Sequence, residues 1–291
     1  MNHMHRTALL MAGVLISSWA QAGDRLLGTG GVSTIEGAGG GGLVPWATIT
    51  GTGSANQWGG VAFASRVQFP SAYRLDVGGV ALGWKDRLEL SAAKWTFGLA
   101  DVVPDKSIEM TVLGAKLKLF GDAVYDQDRW WPQVSVGGQY KINQDEALAK
   151  QLGARSGEGV DAYASATKVW LGAAAGLNVL GTVTARATKA NHFGLLGFGG
   201  PNTDSYRLKL EGSLGVMLRD DLVLGMEWRQ RPNNLAVDDA TQVYEENSAK
   251  DLFVAWFPCR GGSITAAWVD LGNIVTKTRQ RGWYLSGQWN Y

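Results

Sequence analysis

The chain has 291 residues, 45% of them hydrophobic and 18% charged, with a formal net charge of +1. That charge content is low for a soluble domain, where about a quarter of residues are charged, and the near-neutral balance excludes the basic excess of a nucleic-acid binder. Forty glycines and 13 tryptophans against seven prolines suit alternating strands that face lipid.

Residues 1–22 read as an export signal. Arg6 gives a small positive region, residues 8–16 form a short apolar core, and Ala20 and Ala22 are the small residues a signal peptidase reads. The core is too short to cross a bilayer as a helix, which takes about twenty apolar residues. No cysteine follows it, so a lipoprotein anchor is not indicated. Cleavage before Gly23 and export to the outer membrane of a Gram-negative bacterium are the expectation. Residues 23–42 are nearly half glycine. No Gly-Lys-Ser/Thr follows, so a phosphate cradle is not supported. The segment is either a first, weak strand or a plug folded into a barrel, where glycine permits close backbone approach.

From Leu43 to Tyr291 strand candidates follow one another: 43–51, 57–69, 73–84, 87–97, 107–120, 131–142, 160–171, 177–190, 205–219, 222–231, 250–258, 263–271 and 282–291. The clearest is 205–219. Tyr206, Leu208, Leu210, Leu214, Val216 and Leu218 share one parity, while Arg207, Lys209, Glu211, Ser213 and Arg219 share the other. A strand sends successive side chains to opposite faces, so one face is greasy and one charged. These strands exceed the five or six residues typical of soluble sheets and match the roughly nine to eleven of a tilted membrane-spanning strand. Short and long connections alternate, as periplasmic turns and extracellular loops do. Lipid cannot satisfy an open sheet edge, so the sheet must close. The fold expected is all-β: a transmembrane antiparallel up-and-down β-barrel of about 12–14 strands. Thirteen candidates is an odd count; a contribution from 25–36 gives the favoured fourteen, and twelve is the alternative. Trp46, Trp84, Trp95, Trp130, Trp131, Trp170 and Trp283 near strand ends suit aromatic girdles. The alternating residues 283–291 close on Tyr291, as terminal strands read by barrel-assembly machinery do. That machinery and outer-membrane lipid are therefore the expected partners. Oligomeric state is not encoded legibly.

Several segments resemble a known family: 33–46, 101–107, 120–128, 186–200, 269–274 and 280–286. Together they are similar to the domain-of-unknown-function 3034 family of Gram-negative bacteria. The resemblance implies an outer-membrane-type barrel and carries no assigned activity, so it transfers no catalytic residues.

The residues themselves offer little chemistry. After cleavage His192 is the one histidine, with Asn191 beside it and Asp204 and Ser205 across a loop. An Asn-His-Ser hydrolase is conceivable, but no Gly-x-Ser-x-Gly supports it. Asp122, Asp126 and Asp128 lack the spacing and terminal Glu of a calcium loop, and Cys259 is the sole cysteine. No metal, cofactor or catalytic residue is assigned, and the chain is read as a non-enzyme. The informative set is the polar parity, taken to line the lumen: Arg66, Lys116, Lys118, Gln139, Lys141, Arg186, Arg207, Lys209, Glu211, Glu227 and Arg229. Its charges are eight basic to two acidic. In 87–97 the apolar parity shifts from Leu88 and Leu90 to Trp95 and Phe97, which suggests a bulge near Ala92. The expected function is porin-like or transporter-like passage of small solutes, with anions as candidate cargo. The alternative is a closed barrel with a structural or surface-binding role, and a His192 hydrolase comes third.

Overall fold

The computed structural model describes residues 27–99, 106–236, 245–274 and 277–291. The export signal and its cleavage site lie outside the described residues.

Two very short strands come first, β1 (Val32–Ser33) and β2 (Gly39–Gly40), paired only with each other. Twelve long strands follow: β3 (Trp58–Gln68), β4 (Arg74–Trp84), β5 (Leu88–Gly98), β6 (Ser107–Phe120), β7 (Gln133–Asn143), β8 (Glu158–Ala174), β9 (Leu177–Thr188), β10 (Arg207–Arg219), β11 (Leu222–Arg229), β12 (Ala249–Cys259), β13 (Gly262–Asp270) and β14 (Arg281–Asn290). Each pairs antiparallel with the next, and β14 pairs with β3, so the sheet closes with no edge. A short helix, α1 (Glu146–Gln151), sits in the connection between β7 and β8. No helix among the described residues is long and apolar enough to cross a membrane.

Twelve is therefore the strand count, and the favoured fourteen is corrected. Of residues 25–36, the described part, 27–36, adds no barrel strand, and neither do 43–51: the wall begins at Trp58 rather than Leu43. Residues 30–50 are instead almost wholly buried, and they hydrogen-bond to side chains from strands all round the barrel. The segment fills the lumen. Glycine makes this possible where the chain is squeezed: a Cβ on Gly40 would lie 2.3 Å from the Val44 carbonyl oxygen, and one on Gly41 would lie 2.0 Å from the Glu227 carboxylate. Real side chains cannot approach so closely.

The outward parity of most strands is apolar and exposed, as with Leu208, Leu210, Leu214, Leu252 and Leu285. Trp58 and Trp84 stack at one end, 5.8 Å between ring centroids, and Trp283 and Trp170 stand on the outer surface. Trp46 and Trp95 depart from the girdle expectation. Both are buried inside, and Trp95 Nε1 donates to the Ile35 carbonyl at 2.6 Å.

One sector inverts the usual pattern. In β3–β6 the inward residues toward the long-loop end are apolar: Phe63, Leu75, Val77, Trp95, Phe97 and Met110 are buried. The outward ones carry charge. Arg66 pairs with Asp76, Arg74 with Asp76 at 2.8 Å, and Lys94 with Glu109 at 2.8 Å. Arg66 thus lies on the outer face, contrary to the lumen reading. β5 also has no bulge near Ala92. Its pairing on both sides runs without a register shift, and Glu89, Ala93, Trp95 and Phe97 share the buried face. What changes along β5 is the chemistry of the interior, from polar to apolar.

Candidate functional site

The centre of the lumen is a buried ionic cluster built around Glu36 of the plug, which is fully enclosed. Arg229 of β11 binds it bidentately, Nη1 to Oε2 at 2.7 Å and Nη2 to Oε1 at 3.0 Å. Lys141 of β7 contacts the same carboxylate, and Arg186 of β9 lies 3.5 Å from it. Two wall carboxylates complete the set. Asp161 of β8 takes Lys141 at 2.6 Å and stands 3.6 Å from Arg186. Glu211 of β10 pairs with Arg186 and, at 3.2 Å, with Arg229. Gln139 accepts from Arg186 Nη1 at 2.7 Å. Three cations meet three carboxylates, so the cluster is neutral. Burial by itself pushes the Glu36 carboxyl up, yet Arg229, Lys141 and Arg186 together hold it well below the usual carboxylate range.

A second buried pair joins Lys116 to Glu89 at 2.9 Å. Lys116 Nζ also donates to the carbonyls of Gly39 and Thr48, while Glu89 accepts the amides of Gly39 and Thr50. Neutral side chains take further plug backbone groups. Ser165 and Thr184 donate to the Pro45 carbonyl, and Gln133 Nε2 donates to that of Ala47 at 2.7 Å. Gln288 accepts from the Ser33 amide at 2.7 Å. Glu227 accepts the Leu43 amide at 2.6 Å, with Asp251 opposite it on β12. A buried backbone needs such partners; here the wall side chains supply them.

Of the lumen residues expected from sequence, Lys116, Lys141, Arg186, Glu211, Glu227 and Arg229 face the packed interior. Lys118 sits at the short-turn end, 2.6 Å from Asp86 and 3.6 Å from Asp122. Arg207 and Lys209 keep inward parity near the long-loop mouth, where Arg207 is exposed and Lys209 half-buried. Lys168 has outward parity and is covered by the β6–β7 connection, donating to the carbonyls of Asp126 and Arg129 at 2.7 Å each. Parity missed four acids: Glu36, Glu89, Asp161 and Asp251.

The long-loop end is capped by folded connections. His192 and Phe193 both adopt left-handed backbone, φ 46° and 66°, a strained geometry that surrounding contacts must hold. The His192 ring is buried, with Nδ1 3.2 Å from Glu246 and Nε2 2.9 Å from the Asn273 carbonyl. Arg231 stands 3.7 Å from the same carboxylate. Burial raises the Glu246 carboxyl, but His192 and Arg231 bring it below its ordinary range. Asn191 donates to the carbonyls of Leu196 and Gly199 rather than to His192. Ser205 is exposed, and Asp204 pairs with Lys189 at 2.9 Å. The expected Asn-His-Ser set is not assembled. Among the described residues no group of three metal-ligating side chains occurs.

The model of a protein family of unknown function, DUF3034, matches residues 29–288. The chain belongs to this family. The match spans both the plug and the wall, so the lumen segment is part of what defines the DUF3034 chain. No curated protein matches it. Among solved structures the DUF3034 barrel is similar to the KdgM porin, at 8% identity and TM-score 0.48, over 80% of this chain and 99% of that one. It is similar also to Omp33 of Acinetobacter baumannii, at 5% identity and TM-score 0.47, over 82% and 100% of the two chains. LpxR from Salmonella typhimurium gives 11% identity and TM-score 0.44, over 80% and 99%.

Proposed function

We propose that this protein is a non-enzymatic, transporter-like barrel of the Gram-negative outer membrane, closed at rest by residues 27–57 and opened to small solutes when that segment is displaced. The observation that carries the reading is the Glu36 cluster. It ties the plug to three strands of the wall and neutralises the basic side chains that meet it there. With the plug seated, three cations face three carboxylates. With it withdrawn, Lys141, Arg186 and Arg229 face only Asp161 and Glu211, a balance of three to two. The opened lumen is therefore positive at this central belt, flanked by the acids Glu227 and Asp251, and a low-dielectric wall focuses that local field on small anions. Outer-membrane lipid surrounds the apolar face, and barrel-assembly machinery reads the terminal strand β14.

Planar-bilayer conductance tests this. The wild-type barrel is expected to be silent. Deletion of residues 27–57 should give conductance steps that favour anions at low salt, with the preference fading as salt screens the charges. Steady conductance from wild type with its plug protected would refute the gating. A folded deletion barrel that stays silent would favour the alternative, a closed barrel with a structural or surface-binding role.

A further inference from the structure

The plug does not fill the lumen evenly. At the short-turn end it leaves a cavity of about 330 Å³ between itself and the wall formed by β8–β12. Leu180, Met217, Val223, Phe253, Ala255 and Phe257 line it from the wall. Leu27, Val32 and Trp46 line it from the plug. This is a different surface from the ionic centre: its walls are hydrocarbon, and its polar groups are few. Trp46 Nε1 and Thr48 Oγ1 are buried without an intramolecular hydrogen bond, but both atoms lie beneath the lining and neither is open to the chamber. The rim holds Asn178 and the exposed Asp220.

We infer that this chamber binds a small amphipathic molecule: a single alkyl chain carrying an uncharged polar head. The size fits, since an apolar cavity of about 150 Å³ already stays dry and takes up benzene. The lining fits, since ligand sites are mostly apolar with a few placed polar groups. Asp220 at the rim selects against an anionic head. The inference goes beyond gating, because the plug in its seated position is one wall of the site.

The test uses the intact barrel in lipid nanodiscs, so that detergent does not occupy the site, with empty nanodiscs as the baseline. The probe is the neutral dye N-phenyl-1-naphthylamine, whose fluorescence rises on entering an apolar site. The wild type should show one saturable site above baseline. Decanol should displace the dye at concentrations at least tenfold lower than decanoate does, and Asp220→Asn should narrow that gap. Ala255→Leu and Leu180→Trp, which fill the chamber from two strands, should each weaken dye binding at least tenfold while the barrel keeps its heat-modifiable migration. Absence of saturable binding overturns the inference, and so does binding unchanged by both fillers in folded barrels. Should the fillers fail to fold, the competition decides: decanoate displacing as well as decanol overturns the inference. None of these readouts is a conductance, so failure here leaves the gating intact.

Discussion

Replacing Glu36 by glutamine isolates the charge that seats the plug. The substitution keeps the shape of the side chain but leaves Lys141, Arg186 and Arg229 with two carboxylates instead of three. Removing one partner from a buried ion pair costs about 3–5 kcal/mol, because the other charge stays buried and uncompensated. Glutamine retains an acceptor for Arg229, so the low end, about 3 kcal/mol, applies here. At about 1.4 kcal/mol per factor of ten, seating of the plug should weaken roughly a hundredfold. The assay is hydrogen exchange of the plug amides that end on wall side chains, those of Ser33, Gly39, Leu43 and Thr50. Amides of the β12–β13 ladder serve as the internal reference, since sub-global opening need not touch them. The pH dependence carries a definite sign. Glu36 titrates lower when seated than in a free segment, where a glutamate titrates near 4.3. Its contribution is therefore complete above that value and is lost as pH falls through the seated value. Glu36→Gln should abolish this acid-side loss. Plug protection within about threefold of wild type at neutral pH would refute the reasoning.

Face assignment is tested by Leu210→Arg against Lys209→Glu: a cation on the lipid face near mid-bilayer costs about 2–4 kcal/mol, so the first should cut folded yield far more than the second. Gly41→Ala pushes a methyl to 2.0 Å from the Glu227 carboxylate and should raise exchange in residues 39–44 while the wall stays folded. His192→Ala leaves Glu246 with Arg231 at 3.7 Å as its remaining ion-pair partner. It should destabilise the long-loop cap by about 1–3 kcal/mol, read as faster proteolysis of the loops. Phospholipid hydrolysis should not differ from wild type.

The wall was legible because most strands alternate an exposed apolar face with a buried polar one, a period of two. All twelve wall strands fall on sequence candidates for that reason. The plug was not legible as a plug. Residues 43–51 are enclosed on every side, so their apolar content matches a strand while no alternating face tells them apart from one. Arg66 was misplaced by the same rule in reverse. The interior beside β3–β6 is apolar, so greasy parity there means inward; the cue available was Asp76, directly opposite Arg66 in the pairing of β3 with β4. Glu36 left one trace in the sequence. An enclosed lumen with eight bases to two acids cannot stand uncompensated, and a lone glutamate in a glycine run was the acid to suspect. The unpartnered groups of Trp46 and Thr48 left no trace, because which donors go unmatched depends on packing alone.

The seam of the barrel lies between β14 and β3, the last and first strands of the wall, and the plug precedes both. The hydrogen bond from Ser33 to Gln288 spans 255 positions in the chain, and the plug also binds side chains on β5, β6, β7, β8, β9 and β11. Each such contact shortens the effective loop between strands that are distant in sequence and so lowers the entropy lost in bringing them together. The segment is in this respect a former around which the staves are hooped, easing closure of the seam without being needed to hold it shut. Barrel width and plug bulk are in this sense matched in this chain: the wall closes to the width that residues 31–50 fill.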